Sequence, residues 1–199
     1  MKRVDRTTGA PEHGNAESLP DPVVVRRIRR DDWPRQRALR LEMLADTPIA
    51  FGERVETART RRDEYWIARN SEHVASTNSA QWVLDAGDRL VGTMACFEDG
   101  QGRVHVVSVY LSPTYRGAGY LDRLLEEVAN WAYKRGVTTL VLTVAQENGR
   151  AVEAYRRRGF VATGHRHPHP LYGDVTEQEM TCPVDRIRPV DNAGEGGPG

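Results

Sequence analysis

Lysine is nearly absent from this chain: it occurs only at Lys2 and Lys134, and almost all the positive charge is arginine. We read that as a compositional bias of the source genome, not as a binding signature. Neither sign of charge is in excess, since 28 Lys plus Arg balance 28 Asp plus Glu. Binding to nucleic acid rests on surplus cations that neutralise phosphates, so this balance argues against a nucleic acid as partner. Cysteine is scarce as well. Cys96 and Cys182 have no spacing suited to a zinc site or a redox pair, and each lies in an apolar, strand-like run where a buried reduced thiol is expected. Long apolar runs are missing; the longest, near Leu90 to Phe97, is far too short to cross a bilayer. No apolar stretch follows Lys2, Arg3 and Arg6, so these residues do not read as a secretory signal. No membrane association and a cytoplasmic location are therefore expected.

What is present suits one soluble domain. A chain of 199 residues, 39% hydrophobic and 28% charged, can bury a real core. A mean hydropathy of −0.61 points to polar tails. Residues 1–22 are rich in Gly, Pro and charge, and residues 185–199 end in Asn-Ala-Gly-Glu-Gly-Gly-Pro-Gly. Neither segment carries enough apolar area to offset its ordering entropy, so both read as disordered tails around a domain at 23–184.

Within the domain, the β-branched run Val23–Ile28 reads as a strand, and Asp31 or Asp32 as the cap of a helix with Pro34 in its first turn. That helix carries Leu39, Leu41, Met43 and Leu44 and should end before Pro48. Residues 53–70, charged and containing Trp66, read as a second helical region. Gln81–Ala86, Arg89–Glu98 and Arg103–Leu111 then form an antiparallel meander, turning at Gly87-Asp88 and Gly100-Gln101-Gly102. After Pro113 the period changes. Leu121, Leu124, Leu125, Val128 and Ala132 follow a helical stripe closed by Gly136. Val137–Ala145 is apolar nearly throughout and reads as a strand buried on both faces. Asn148 caps a short helix ending at Gly159, and strands at Phe160–Thr163 and Glu177–Cys182 complete an α/β pattern with a mostly antiparallel first half.

The informative segment is Val109-Tyr110-Leu111-Ser112-Pro113-Thr114-Tyr115-Arg116-Gly117-Ala118-Gly119, a strand entering a glycine-bearing turn that opens a helix. Free backbone N–H groups and the positive end of the helix dipole converge there, which suits a phosphate or pyrophosphate. The glycines permit close approach and Arg116 adds a donor fork. By itself the loop is equally a tight turn with no ligand. It lacks the three glycines of the dinucleotide fingerprint and the Gly-Lys-Ser/Thr of a Walker loop.

Further along the chain stands Asn148-Gly149-Arg150-Ala151-Val152-Glu153-Ala154-Tyr155-Arg156-Arg157-Arg158-Gly159-Phe160. With Arg116 and Gly119, the residues Asn148, Ala151, Tyr155, Gly159 and Phe160 resemble the two motifs of the GNAT acyltransferase superfamily, in order and spacing. The resemblance covers residues 24–182. It implies the GNAT fold, a mixed, mostly antiparallel central sheet of about seven strands flanked by four helices. It implies an N-acetyltransferase using acetyl-CoA as co-substrate, with no metal, acting on a primary amine of a small molecule or peptide by direct attack. A homodimer is compatible with it.

The resemblance also implies roles. Backbone groups of Val109, Tyr110 and Leu111 would pair with the pantetheine arm as an added strand does. N–H groups from Arg116 through Gly117, Ala118, Gly119 and Tyr120 to Leu121 would hold the pyrophosphate. Asn148 would bond the pantetheine arm, and Tyr155 would lie near the thioester sulfur and protonate the leaving thiolate. An N–H on the bulged strand would steady the oxyanion. Leu121 departs from the pattern, standing where the family has a second Gly or Ala; the cradle's N–H groups do not depend on that side chain, but a leucine there can crowd the coenzyme. His105, early in its strand, and Glu98, at the end of the preceding one, are the candidate bases. A non-catalytic CoA-binding module is the alternative.

Two further segments carry weaker signals. In His165-Arg166-His167-Pro168-His169-Pro170, alternate histidines would share one face of an extended segment, but two prolines interrupt it; a loop beside the acceptor mouth is expected, not a metal site. Arg156, Arg157 and Arg158 read as a solvated helix face within reach of the coenzyme's 3′-phosphate. Residues 31–80 and 164–176 are expected to wall the acceptor site. Aminoglycoside, polyamine, amino acid and protein N-terminus all remain open as acceptors.

Overall fold

Alternating burial drives the architecture in the computed structural model, which describes residues 23–188. The tails expected at residues 1–22 and 185–199 lie outside the described residues, apart from residues 185–188. Strand β1 (Val24–Arg27) leads into α1 (Trp33–Asp46), which has Pro34 in its first turn and ends before Pro48. The expected second helical region is two helices, α2 (Val55–Thr60) and α3 (Asp63–Ala75), because Arg61 and Arg62 adopt extended backbone between them. The meander follows as β2 (Ser79–Asp85), β3 (Leu90–Glu98) and β4 (Arg103–Leu111). Then come α4 (Tyr120–Tyr133), β5 (Thr139–Ala145), α5 (Gly149–Arg156), β6 (Val161–Pro168) and β7 (Thr176–Pro183). Residues 185–187, expected in the tail, belong to α6 (Val184–Ile187). Among these helices, α1, α3, α4 and α5 are the long ones, which agrees with the expected fold class.

The strands form one sheet in the order β1-β2-β3-β4-β5-β7-β6, antiparallel except for the parallel pair β4–β5. Its two faces bury different helices. Trp82 and Leu84 on β2 face the cluster containing Leu124, Leu125, Val128 and Ala132 of α4, whereas Val83 between them faces Leu39, Met43 and Leu44 of α1. This is the period-2 alternation of a strand covered on both sides. The helical stripe read from α4 is buried at each of those positions except Leu121, which packs at the margin of the core. Cys96 and Cys182 are buried free thiols, as expected, and burial pushes Cys96 up to about 12, so it carries negligible thiolate at neutral pH.

Asp32 does not cap α1 with its side chain, as had been expected. Its carboxylate is buried and takes a two-pronged pair from Arg26 of β1 (2.7 and 2.8 Å), the Arg29 N–H (2.7 Å) and Arg35 of α1. Arg26 also reaches Asp85 of β2 at 2.8 Å, and Arg35 reaches the same carboxylate at 3.1 Å. Two arginines and two aspartates thus lock β1, β2 and α1 together at the edge of the sheet.

Candidate active site

The site begins as a defect in β4. Ser108 has a φ of 53°, in the left-handed region, and the β3–β4 register shifts between Thr93 and Ala95. This is a β-bulge, which bends a strand and re-aims its side chains. Before it, Val104 and Val106 face the α4 side; after it, Val109 and Leu111 face that side and Tyr110 turns to the α1 side, where its hydroxyl donates to Glu42 at 3.1 Å. Beyond the bulge β4 diverges from β5: their parallel pairing ends at Val106↔Leu142. The β5-side edge of residues 107–111 is left open along a cleft.

The outer part of the cleft is a groove of about 520 Å³, bordered by Val109, Gly117, Gly119, Leu121, Asn148 and Tyr155 among others. That size falls within the range of small-molecule sites. Gly119 is the N-cap of α4 with a φ of 80°, and Gly117 has the same φ. A Cβ at either position would meet nothing within 4 Å, so the demand for glycine comes from the backbone conformation and the space beyond is open. Asp122 and Arg123 donate back to the Gly119 carbonyl. Helix geometry leaves the preceding N–H groups of Tyr120 and Leu121 without an intrahelical acceptor, at the positive end of the dipole. These are the groups expected to cradle a pyrophosphate. Leu121 borders the same groove, so its side chain narrows it.

Arg116 behaves differently from the expectation. Its Nε donates to the Leu111 carbonyl at 2.8 Å, its terminal nitrogen pairs with Asp46 of α1, and its backbone N–H donates to Pro113 O at 3.3 Å. It fastens the loop to α1 and occupies the Leu111 carbonyl. A fork aimed at phosphate is not what its side chain presents. Arg158 is likewise taken up, by a two-pronged pair with Asp122 at 2.5 and 2.8 Å that joins α5 to α4. It is not a solvated face. Nothing in the sequence distinguishes it from its arginine neighbours.

At the inner end, Asn148 caps α5, its Oδ1 accepting from the Ala151 N–H at 3.2 Å, which leaves Nδ2 as the group able to reach a ligand. Tyr155 lies on the same helix, buried against Phe160 with ring centroids 5.6 Å apart. Burial pushes its phenol well above the ordinary range, against a smaller opposing pull from Arg158. The tyrosine therefore holds its proton throughout neutral pH. Gly159, after the helix, has a φ of 88°, so the backbone conformation favours glycine there, and a Cβ would also press on the Arg186 side chain.

Two smaller cavities continue the cleft. One of about 80 Å³ is bordered by Tyr155, Asn148, Ser108, Phe51 and Glu177; the next, about 240 Å³, by Arg40, Phe51, His105 and Ser108. Ala50 and Phe51 border both cavities, and Arg54 ties the same segment to the β6–β7 loop by donating to the Leu171 carbonyl at 3.2 Å. The structure does not bring the two candidate bases to Tyr155. His105 borders only the further cavity, stacked on Phe97 with centroids 5.0 Å apart and bonded to Asp99 at 3.0 Å. Glu98 pairs with Arg135 at 2.8 Å and borders none of the three spaces. The histidine segment expected as a loop is strand β6 as far as Pro168; His165 and His167 are exposed, whereas His169 is buried in the following turn. Among the described residues, no group of three or more His, Cys, Asp or Glu side chains could hold a metal ion, and no helix is long and apolar enough to cross a membrane.

An open-edged strand, a helix start with free N–H groups and a buried protonated tyrosine thus lie around one cleft. The model of the Acetyltransferase (GNAT) family matches residues 31–160, and the chain belongs to that family. N-acetyltransferase 8B of Rattus norvegicus is 27% identical over 105 residues, 50% of this chain and 47% of that protein. The chain thus spans about half the length of the curated relatives it matches. The fold is shared with the spermidine N-acetyltransferase of Vibrio cholerae in complex with CoA and spermine (TM-score 0.67, 16% identity, covering 83% of this chain and 97% of that one). It is shared too with the PaiA N-acetyltransferase of Thermoplasma acidophilum in complex with coenzyme A (TM-score 0.64, 17% identity, 79% and 98%).

Proposed function

We propose that this protein is an N-acetyltransferase that moves an acetyl group from acetyl-CoA to a primary amine by direct attack, working in the cytoplasm. The observation that carries this reading is the single cleft between β4 and β5, with the open start of α4 at its outer end and Tyr155 at its inner end. The coenzyme's pyrophosphate would rest on the N–H groups of Tyr120 and Leu121, and its pantetheine arm would lie along residues 107–111 with Asn148 opposite. An N–H at the bulge would stabilise the oxyanion. Tyr155 would give its proton to the departing thiolate.

The test is consumption of acetyl-CoA against a panel of polyamines, amino acids, aminoglycosides and peptide N-termini. Turnover with at least one amine supports the reading; binding of acetyl-CoA with no turnover on any of them favours a non-catalytic CoA-binding module. The loop itself is tested separately. Gly119→Ala forces a side chain into the left-handed region at a cost of about 1–2 kcal/mol. Relaxation out of that conformation is expected to weaken acetyl-CoA binding roughly tenfold by calorimetry. Unchanged affinity would remove the loop from coenzyme binding.

A further inference from the structure

Two histidines that the proposed chemistry leaves unused converge on one carboxylate at the inner end of the cleft. Glu177, on β7 opposite Ala145 of β5, borders the cavity that also holds Tyr155, Ser108 and Asn148. No other Asp or Glu borders that cavity among the described residues, and its remaining polar side chains (Ser108, Thr143, Asn148 and Tyr155) are uncharged at neutral pH. The Glu177 side chain is 16% exposed. Its Oε2 lies 3.0 Å from His167 Nε2, on the solvent side.

His169 stands on the other side with its side chain fully buried. Its Nδ1 accepts from the Leu171 N–H at 3.0 Å. A backbone N–H can only donate, so that Nδ1 carries no proton and the neutral ring's proton sits on Nε2. This Nε2 is buried without a hydrogen-bond partner, 3.9 Å from Glu177 Oε1. A buried donor left unpaired is costly, and here it is aimed at the one carboxylate of the cavity.

We propose that Glu177 is the residue that receives the acceptor's ammonium group and takes its proton. This rests on the acetyl-transfer reading and supplies the base that neither His105, which borders only the further cavity, nor Glu98, which borders none of the three spaces, is placed to provide. Partly withdrawn from water, a carboxylate attracts a cation more strongly than it would in bulk solvent. One proton passes from the ammonium to Glu177, and the free amine attacks the thioester carbonyl carbon. The C–N bond forms and the C–S bond breaks. The sulfur takes a proton from Tyr155, which is replenished by the second proton lost from nitrogen as the tetrahedral intermediate collapses. The products are the amide and the CoA thiol, and the proton on Glu177 leaves to solvent past His167.

The experiment uses the full chain and the best amine from the panel, with Glu177→Gln. Around the carboxylate stand His167 of β6 and His169 of the following turn, with Tyr155 of α5 on the same cavity and Glu147 accepting from the adjacent Thr176 N–H at 3.3 Å. Both proteins carry these groups, and the profile is read as the ratio of variant to wild type. At neutral pH, kcat/KM for the amine is expected to fall about 100-fold, with acetyl-CoA affinity by calorimetry unchanged. The deficit should shrink as the pH rises through the amine's own pKa, because the substrate then arrives unprotonated. A variant with wild-type kcat/KM overturns the assignment alone; so does a deficit that is the same at every pH. A wild-type protein that binds acetyl-CoA but acetylates no amine overturns the acetyl-transfer reading and the assignment with it. If Glu177→Gln does not fold, Glu177→Asp is measured instead. Its retracted carboxylate should cost about tenfold or more, and unchanged turnover overturns the proposal.

Discussion

Replacing Tyr155 with phenylalanine is expected to lower kcat about 100-fold, the scale of a lost general acid. The substitution deletes one hydroxyl from a side chain already packed against Phe160, so the core and the groove should be retained. Acetyl-CoA affinity and thermal stability should therefore change little, and the loss should fall on the chemical step. Because burial raises the phenol far above its ordinary range, the wild type should show no alkaline limb from this group below about pH 10. Its protonated, donating form persists as the pH rises, while more of the amine becomes free to attack. The check is a kcat profile from pH 6 to 10 for both proteins, with calorimetry of acetyl-CoA binding alongside. Turnover within about twofold of wild type would remove Tyr155 from the mechanism.

The largest effect on stability should come from Asp32→Ala. The carboxylate is fully buried, and its removal leaves Arg26, itself only 12% exposed, with Asp85 and the Arg27 carbonyl as its remaining partners. Breaking a buried pair typically costs about 3–5 kcal/mol, and because Asp85 still compensates part of the charge the lower end, about 3 kcal/mol, is expected. For a chain of this size the melting temperature should fall by roughly 10 °C. Denaturant titration with an unchanged m-value would assign the loss to the folded state. The same site predicts an acid dependence. Burial alone would raise the Asp32 carboxyl, but hydrogen bonds from Arg26, the Arg29 N–H and Arg35 outweigh it and hold it at about 2, below its ordinary 3.8. The group therefore contributes stability that is fully present above about pH 4 and lost as the pH falls through 2. Asp32→Ala should show a shallower loss of stability than the wild type in that window, the remaining slope coming from Asp46, Asp85 and Asp99, which are also held below the ordinary carboxylate range.

Much of the fold was legible because its elements announce themselves locally. The α4 stripe of Leu124, Leu125, Val128 and Ala132, closed by Gly136, needs only helical periodicity to be read. The apolar continuity of β5 implies burial on both faces, and the strand is buried nearly throughout. Less legible were features set by a distant partner. Asp32 has the composition and position of a helix cap, and only the approach of Arg26 from β1 diverts it. Arg116 and Arg158 look like available cations in sequence, yet Asp46 and Asp122, far along the chain, take both. The bulge at Ser108 has no glycine to mark it; its φ of 53° is imposed by the register of β3 against β4.

For the site, the sequence by itself determined the half proposed to hold the coenzyme. Gly117, Gly119 and Asn148 lie at turns and helix starts, and Tyr155 follows Asn148 within the same short helix, so their arrangement depends on groups a few residues apart. The other half of the cleft was decided by tertiary structure alone. Whether His105, Glu98 or Glu177 faces the inner cavity depends on how β4 bends from β5 and on how β7 pairs along β5. Both are contacts between segments far apart in the chain. A strand alternates its faces every residue, so a single bulge or a shift of register by one reverses which side chain points inward. No pattern along the chain encodes that outcome; it follows from the pairing itself.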